Sequence, residues 1–347
     1  MWLERAARYE FWPRRVFYAP MVPWLAYLAA RYGGLGALTA ANPGITNSGL
    51  VGESKADLLA RAPRDLLPDF ALVRSGTPAD RALALADGMA RAGLSWPVIF
   101  KPDVGERGYG VRLLRTRDQA LAYLAQHPGD VIVQRYCPEP TEAGVFYLRR
   151  PGAPRGEIFS VTLKRFPVVT GDGRRTLAQL VDDHPRLRLQ RAVFMARLGA
   201  AARDVPDRGE PRRMAVAGNH CQGTLFVDGQ HLAGPGLLAQ CERIARAVGG
   251  LYVARFDIRA PGENALRQGE GLRLIEINGV AAESTNIYDP SWRLLRAYRT
   301  LRAQWEAAYQ IGAANRRDRG AVPWSVGRIA RAVRSHFGRS GIGPLSD

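Results

Sequence analysis

The chain has 347 residues, 46% of them hydrophobic, enough to bury a core in two or three lobes, and its scattered Gly and Pro exclude a collagen or solenoid period. Lysine and arginine total 49 against 32 acidic residues, a net charge of +17 that fits nucleotide phosphates, an anionic membrane, an acidic substrate or nucleic acid, and selects none of them. Three cysteines, Cys137, Cys221 and Cys241, lie far apart with no C-x-x-C spacing, so neither a zinc site nor a disulfide framework is indicated and a reducing cytoplasm fits best.

The first segment, residues 1–51, is rich in aromatics (Trp2, Tyr9, Phe11, Trp12, Phe17, Tyr18, Trp24, Tyr27, Tyr32) interleaved with arginines. Pro20, Pro23 and Arg31 interrupt its apolar stretch, so it does not supply the roughly 20 apolar residues of a membrane span. Either it lies at an interface, or its aromatics pack a small lobe onto the rest of the protein; packing is the plainer reading. It lacks the pattern of a signal peptide, and a cytoplasmic protein is expected.

A second unit is expected over 52–148. A helix starts near Glu53 or Ser54 and carries Lys55 on its first turn. Another follows Thr77 as cap, with Pro78 at its first position. The run WPVIFKPDVGERGYGVRLL predicts a strand over 98–100 that delivers Lys101, then a loop with Gly105, Gly108 and Gly110, then a strand over 111–114. Glycines let backbone approach phosphate oxygens and a lysine supplies a point charge, although such a loop is more often only a hairpin. It is neither a Walker A loop nor a Rossmann fingerprint. A helix over 117–126, the strand DVIVQRY and a strand from Val145 complete a small α+β lobe with one sheet face toward a cleft. At the cleft edge Gln134 is a candidate acceptor for an adenine amino group, the backbone of Arg135 and Cys137 for hinge hydrogen bonds, and Glu142 for ribose hydroxyls. The competing reading for each is a solvated loop residue.

A larger lobe is expected over 149–314. It holds a strand ending at Lys164, a turn at Gly171-Asp172-Gly173, a helix from Thr176, Arg- and Ala-rich helices with a mobile connection over 206–211, a polar-tipped hairpin in AGNHCQGTLFVDGQHL, and a helix with Leu237, Leu238, Cys241, Ile244, Ala245 and Val248 in one stripe. The segment 251–288 then reads as two strands joined by a polar, Gly-rich loop. Alternation places Leu251, Val253, Arg255 and Asp257 on one face of the first, and Leu272, Leu274, Glu276 and Asn278 on one face of the second. If the strands are neighbours, Asp257, Glu276 and Asn278 form an oxygen cluster beside Arg255, as magnesium holding a polyphosphate requires. The loop GVAAESTNIYDP borders this cluster and offers Glu283, Ser284, Thr285, Asn286 and Tyr288 for substrate, or for ordinary loop capping. Of five histidines, only His220 falls beside the expected cleft. The tail, 315–347, begins as a basic linker and ends in an amphipathic helix with Val326, Ile329, Val333 and Phe337 among arginines. It lies on an anionic membrane as a peripheral contact, or packs its stripe on the large lobe.

The order Lys55, VIFKP with its Gly loop, VIVQRY with a downstream Glu, LKRFP with GDG, ARFDI and LIEIN, across roughly residues 52–309, resembles the ATP-grasp superfamily of carboxylate-amine ligases. Within it the chain looks most like the D-alanine–D-alanine ligases and the cyanophycin-synthetase and glutathione-ligase branch. The resemblance implies an α+β fold of two lobes clasping ATP. It implies that Lys55 and Lys101 touch ATP phosphates, with Gly105, Gly108 and Gly110 closing as a lid. Gln134 would sit on the adenine side, Glu142 on the ribose, and Lys164 near the terminal phosphates. Arg255 would neutralise the transferring phosphoryl group, and Asp257, Glu276 and Asn278 would hold Mg2+, with Mn2+ as alternative. The partners are then a small carboxylate and an amine joined through an acyl phosphate, and no specific nucleic acid is expected. Two rivals are a kinase that stops at phosphoryl transfer, and a non-catalytic nucleotide-binding protein on a membrane or acidic partner. Oligomeric state leaves no signal in the sequence.

Overall fold

The computed structural model describes residues 2–105, 108–215, 218, 220 and 223–339, with the backbone alone for 2, 3 and 337–339. Cys221, part of the glycine loop and the side chain of Phe337 therefore lie outside the described residues.

Eleven strands are described: β1 Phe70–Val73, β2 Val98–Pro102, β3 Arg112–Leu114, β4 Val131–Arg135, β5 Thr141–Leu148, β6 Glu157–Arg165, β7 Val168–Thr170, β8 Pro211–Arg213, β9 Leu225–Asp228, β10 Val253–Ala260 and β11 Arg273–Asn278. They form a four-stranded sheet in the order β1-β4-β2-β3, a five-stranded sheet β11-β10-β5-β6-β9 and the pair β7-β8, every pairing antiparallel. The fold is α+β, built on two principal sheets.

The small sheet has one dry face. Val98 and Phe100 of β2 and Val131 and Val133 of β4 pack with Leu85 of the helix Pro78–Arg91 and Ala120 and Leu124 of the helix Arg117–Gln126. Threonine side chains begin both helices: Thr77 accepts from the Asp80 N–H and Thr116 from that of Gln119. Because strand side chains alternate, Ile99, Lys101 and Gln134 are left on the opposite face.

The large sheet is covered on one face by the helix Pro235–Val248, which buries Leu237, Ile244 and Val248 against Ala143, Val145, Val161, Ala254, Phe256 and Ile258. Burial of each such large aliphatic side chain contributes about 1.5–3 kcal/mol. Its other face is divided along the strands. Phe146, Leu148 and Val253 pack under the helices Val22–Tyr32 and Leu294–Arg319. Glu142, Lys164, Arg255, Asp257 and Arg259 occupy the uncovered end.

Several expectations change. The strand beginning before Val145 belongs to the large sheet, between β10 and β6, so the lobes divide near the 136–140 link rather than after 148. The expected hairpin after residue 215 contributes β9 as an edge strand on β6. The connection 206–211 is fastened by backbone bonds, Gly171 N–H to Glu210 O at 2.8 Å and Gly209 N–H to Gly171 O at 2.9 Å, and feeds β8. A short helix, Glu263–Gln268, stands in the link between β10 and β11.

The aromatic first segment packs onto the large lobe. Phe17 and Met21 bury against Ile287, Trp292, Ala297 and Leu301. Glu10, 8% exposed, is bound at both oxygens by Arg186 at 2.9 Å and by His220 Nε2 at 2.9 Å. Among the described residues no helix is long and apolar enough to cross a membrane. The tail helix Val326–Arg339 is tied near its start, where the Trp324 N–H donates to Thr39 Oγ1 at 2.8 Å. Its Ile329 and Val333 are half-buried while Arg328, Arg331 and Arg334 stay exposed.

Candidate active site

A cavity of about 810 Å³ opens between the uncovered faces of the two sheets. Lys55, Lys101, Gly105, Gly108, Gln134, Arg135 and Cys137 border it from the small-sheet side and the link to β5, and Glu142 from the start of β5 itself. Lys164, Arg255, Asp257, Glu276 and Asn278 border it from the large sheet, and Glu283 and Tyr288 from the following loop. Local rules position several of them. Ser54 caps the helix Lys55–Arg61, accepting from the Asp57 N–H, and the Lys55 and Ala56 N–H groups donate to Asp103 at the end of β2. This docks Lys55 beside Lys101.

β10 and β11 are neighbours, with Arg255 opposite Asn278 and Asp257 opposite Glu276. The expected alternation along β11 is nevertheless interrupted. A bulge between Asp257 and Ile258 pairs Ile258 with Leu274, so Leu272 and Leu274 join Ile277 in the core while Glu276 and Asn278 face the cavity. One extra residue on a strand reverses the facing of everything before it. The extra residue is Ile275, whose carbonyl accepts from Lys101 Nζ at 2.9 Å. On β10, Leu251 and Tyr252 precede the strand and pack in the apolar clusters, outside its alternation.

A buried charge chain crosses three strands. Arg255 Nε donates to Asp257 Oδ1 at 2.9 Å, Lys164 Nζ to Asp257 Oδ2 and to Glu142 Oε1 at 3.0 Å each, and Arg259 Nε to Glu142 Oε2 at 2.9 Å. The register dictates it, since Glu142 of β5 is paired with Lys164 of β6 on one side and Arg259 of β10 on the other. Burial works against each ion, but the partners prevail. Asp257 is brought down to about 2 by Arg255 and Lys164, Glu142 is lowered by Lys164 and Arg259, and Lys164 is raised by Asp257 and Glu142. Gly144 leaves room for this chain, because a Cβ there would meet Arg255 Cδ at 3.2 Å.

Glu142 is therefore held at both oxygens by cations inside the protein, while it also borders the cavity where a ribose ligand is expected. At Gln134 the Oε1 already accepts from Lys101 Nζ at 2.9 Å, and the buried Nε2 has no partner among the described residues. The hinge atoms are partly engaged: the Arg135 N–H donates to Asp69 O and the Cys137 carbonyl accepts from Arg259. The Arg135 guanidinium turns outward to Asp69, and burial pushes the Cys137 thiol up to about 11.

Gly110, Ser284 and Asn286 do not border the cavity. The Gly110 carbonyl accepts from Tyr123, and its positive φ of 72° turns the chain into β3. Ser284 is tied to Ser160 and Gln304, and Asn286 donates to Asp228, so both polar side chains fasten the loop to the sheet. Sequence reasoning missed Arg259, although it lies two residues beyond Asp257 in the same alternation. It also missed the Glu10, Tyr9 and Tyr18 wall, which no local pattern connects to the cleft.

Lys101 is held in its cationic form less firmly than its neighbours. Burial lowers its pKa to about 8, and it donates its hydrogen bonds to uncharged oxygens of Gln134 and Ile275. Lys55 lies 3.8 Å from Glu276, too far for a hydrogen bond. Among the described residues no three His, Cys, Asp or Glu side chains converge as a metal group. The candidate donors are two carboxylates and an amide, an all-oxygen set suited to a hard divalent ion. Glu276 fits that use, and the Asn278 Nδ2 is buried with no partner among the described residues. Asp257 already shares its oxygens with Arg255 and Lys164.

No family model and no curated protein matches the sequence. Solved structures to which the chain is similar include a bifunctional glutathione synthetase from Pasteurella multocida (18% identity, TM-score 0.36, 72% of this chain and 35% of that one). D-cycloserine synthetase DcsG is similar at 14% identity and TM-score 0.42, over 74% of this chain and 70% of that one. An L-amino acid ligase from Bacillus licheniformis is similar at 12% identity and TM-score 0.38, over 68% and 42%. The chain spans about a third of the length of the glutathione synthetase. At these TM-scores the likenesses carry no argument about reaction or substrate, which rest on the side chains.

Proposed function

We propose that the chain is an ATP-grasp ligase that joins a carboxylate to an amine, with ATP cleaved to ADP and phosphate through an acyl phosphate. One observation carries the reading: Lys101 from one sheet and Arg255, Asp257, Glu276 and Asn278 from the other meet across a single cavity, where cations and oxygen donors suit a metal-bound triphosphate. A lysine pair and an arginine bind and orient the phosphates, and a protein with a purely structural cleft has no need of two carboxylates paired across strands.

In this reading Lys55 and Lys101 hold the nucleotide phosphates, and Arg255 faces the γ-phosphoryl group. Glu276 and Asn278, with Asp257 beside them, would hold magnesium, which when bound neutralises triphosphate charge. The substrate carboxylate oxygen attacks the γ-phosphorus as the bond to the β-phosphate oxygen breaks and ADP leaves. The amine nitrogen then attacks the acyl carbon, the carbon–oxygen bond to phosphate breaks, and the amine proton passes to phosphate or water. No side chain need become covalently bound; the protein orients the reactants and neutralises charge where it develops.

The test is release of ADP and phosphate from Mg-ATP in the presence of paired panels of carboxylates and amines, with mass spectrometry of the products. An amide supports the reading. A phosphorylated product without amide supports the kinase alternative, and binding of Mg-ATP without turnover across the panels supports a non-catalytic nucleotide-binding protein.

A further inference from the structure

The cavity has two chemically distinct walls. The sheets present the cations Lys101, Lys164 and Arg255, and the helix Lys55–Arg61 adds Lys55. Residues 9–18 and 282–288, with Trp305 of the long helix, present rings: Tyr9, Trp12, Tyr18, Tyr288 and Trp305. Among them stand Arg14, Glu10 and, beside the phenols, Glu283. It accepts hydrogen bonds from the Tyr18 hydroxyl and, at 3.0 Å, from Tyr288. Among the described residues Glu283 is in no ion pair, whereas Asp257, Glu142 and Glu10 are each bound to at least one cation within 3.0 Å.

The rings are fixed in place. The Tyr9 hydroxyl donates to Ile287 O at 2.7 Å, and its ring stacks on Phe17 at 5.9 Å. Tyr288 stacks on His220 at 5.0 Å, and Glu10 holds that histidine from behind. Burial and the neighbouring Glu283 push the Tyr18 hydroxyl well above its ordinary pKa, so it stays a donor. Arg14 already rests 5.7 Å over the Tyr18 ring, which shows that this wall accepts a cation on its faces.

A carboxylate that among the described residues has no cation within ion-pair distance, only the longer-range charge of Arg255, and that is set among aromatic faces, matches an ammonium group carried on an apolar body. Such a group gains a charge-assisted hydrogen bond, ring-face attraction and apolar burial together. The geometry points to this wall as the acceptor subsite, and to the acceptor as a primary amine bearing an aromatic or large apolar group, with Glu283 and Trp12 as its specificity residues. This rests on the ligase reading, since it names the amine that reading requires.

Calorimetric titration of the full chain separates the two. Mg-ADP is titrated first; phenethylamine, ethanolamine and phenylacetate are then titrated with Mg-ADP present and absent. Phenethylamine is expected to bind at least about tenfold more tightly than either of the others, and Glu283→Gln to weaken it about tenfold. Gln accepts from one phenol at Oε1 and donates from Nε2 to the oxygen of the other, and the half-exposed Trp12, changed to Ala, provides a second variant expected to lose affinity for phenethylamine more than for ethanolamine. Equal affinity for the three compounds, or tighter binding of phenylacetate, overturns the subsite. Mg-ADP binding without amine preference overturns the subsite and leaves the ligase reading standing. Amine preference without Mg-ADP binding supports the subsite and overturns the ligase reading.

Discussion

Asp257 on β10 and Glu276 on β11 stand directly opposite one another, yet the two carboxylates are held differently. Asp257 is buried and closed by Arg255 and Lys164 at 2.9 and 3.0 Å. Glu276, with a quarter of its side chain exposed, has among the described residues one ion-pair contact, Lys55 at 3.8 Å, with the charges of Lys101 and Arg255 farther off. Removing the Asp257 charge leaves two buried cations short of a partner, whereas removing that of Glu276 leaves one ion-pair contact that is already long. Breaking a buried pair costs about 3–5 kcal/mol, and a loose one about 0–1 kcal/mol. Urea denaturation should therefore show Asp257→Asn strongly destabilised and Glu276→Gln near the parent, while ADP release falls in both.

Glu142 separates two accounts of its own role. As a counter-ion to Lys164 and Arg259 it supports the fold, and Glu142→Gln should lower the urea midpoint in proportion to about 3–5 kcal/mol. As a ribose ligand it would instead raise the KM for ATP and leave stability unchanged. Measuring both quantities on one preparation distinguishes them.

Two pH effects follow from opposite signs. Asp257 has its folded pKa lowered from 3.8 to about 2, so its contribution is fully present above 3.8 and is lost as pH falls through about 2. Lys101 is lowered from 10.5 to about 8 by burial, so the unfolded chain binds more protons between those values, and that residue's penalty is relieved as pH rises across the window. The same titration removes a cation from the nucleotide site. Affinity for ADP should weaken as pH rises through about 8, and Lys101→Met should bind ADP weakly with that step absent, as read by calorimetry at several pH values.

Gly144 offers a steric test without a charge change. A Cβ at this position meets Arg255 Cδ at 3.2 Å and Asp257 Oδ1 at 3.5 Å, and the larger Val adds atoms where the Arg255–Asp257 pair lies. Gly144→Val should cut ADP release by more than tenfold, with about 1–3 kcal/mol of destabilisation from overpacking. Gly152, with nothing near its absent Cβ but a positive φ of 86°, serves as a strained control remote from the cavity.

The parts of the fold legible in the sequence were those written in local chemistry. Thr77, Thr116 and Thr176 announce their helices, and the polar ends of ARFDI and LIEIN announce a shared hollow. What stayed hidden depends on pairing between distant segments. Nothing near Glu142 tells that β5 inserts between β6 and β10, and that insertion sets its partners. The bulge at Ile275 reverses the facing of Leu272 and Leu274 without altering the sequence pattern. Ser284 and Asn286 have the composition of binding residues, but their hydroxyl and amide are used by Ser160 and Asp228, contacts made across more than fifty residues. The ring wall around Glu283 joins residues separated by more than 260 positions, as the Tyr18–Glu283 bond shows.

The most direct test of ligation through an acyl phosphate follows one oxygen atom. The twenty amino acids, exchanged to carry ¹⁸O in their carboxylates, are incubated with the full chain, Mg-ATP and phenethylamine, and the released phosphate is examined by mass spectrometry. Transfer of one ¹⁸O from carboxylate to phosphate, together with an amide product, is the predicted result. Phosphate released without ¹⁸O would contradict the account, because the carboxylate would then never have been bonded to the phosphorus.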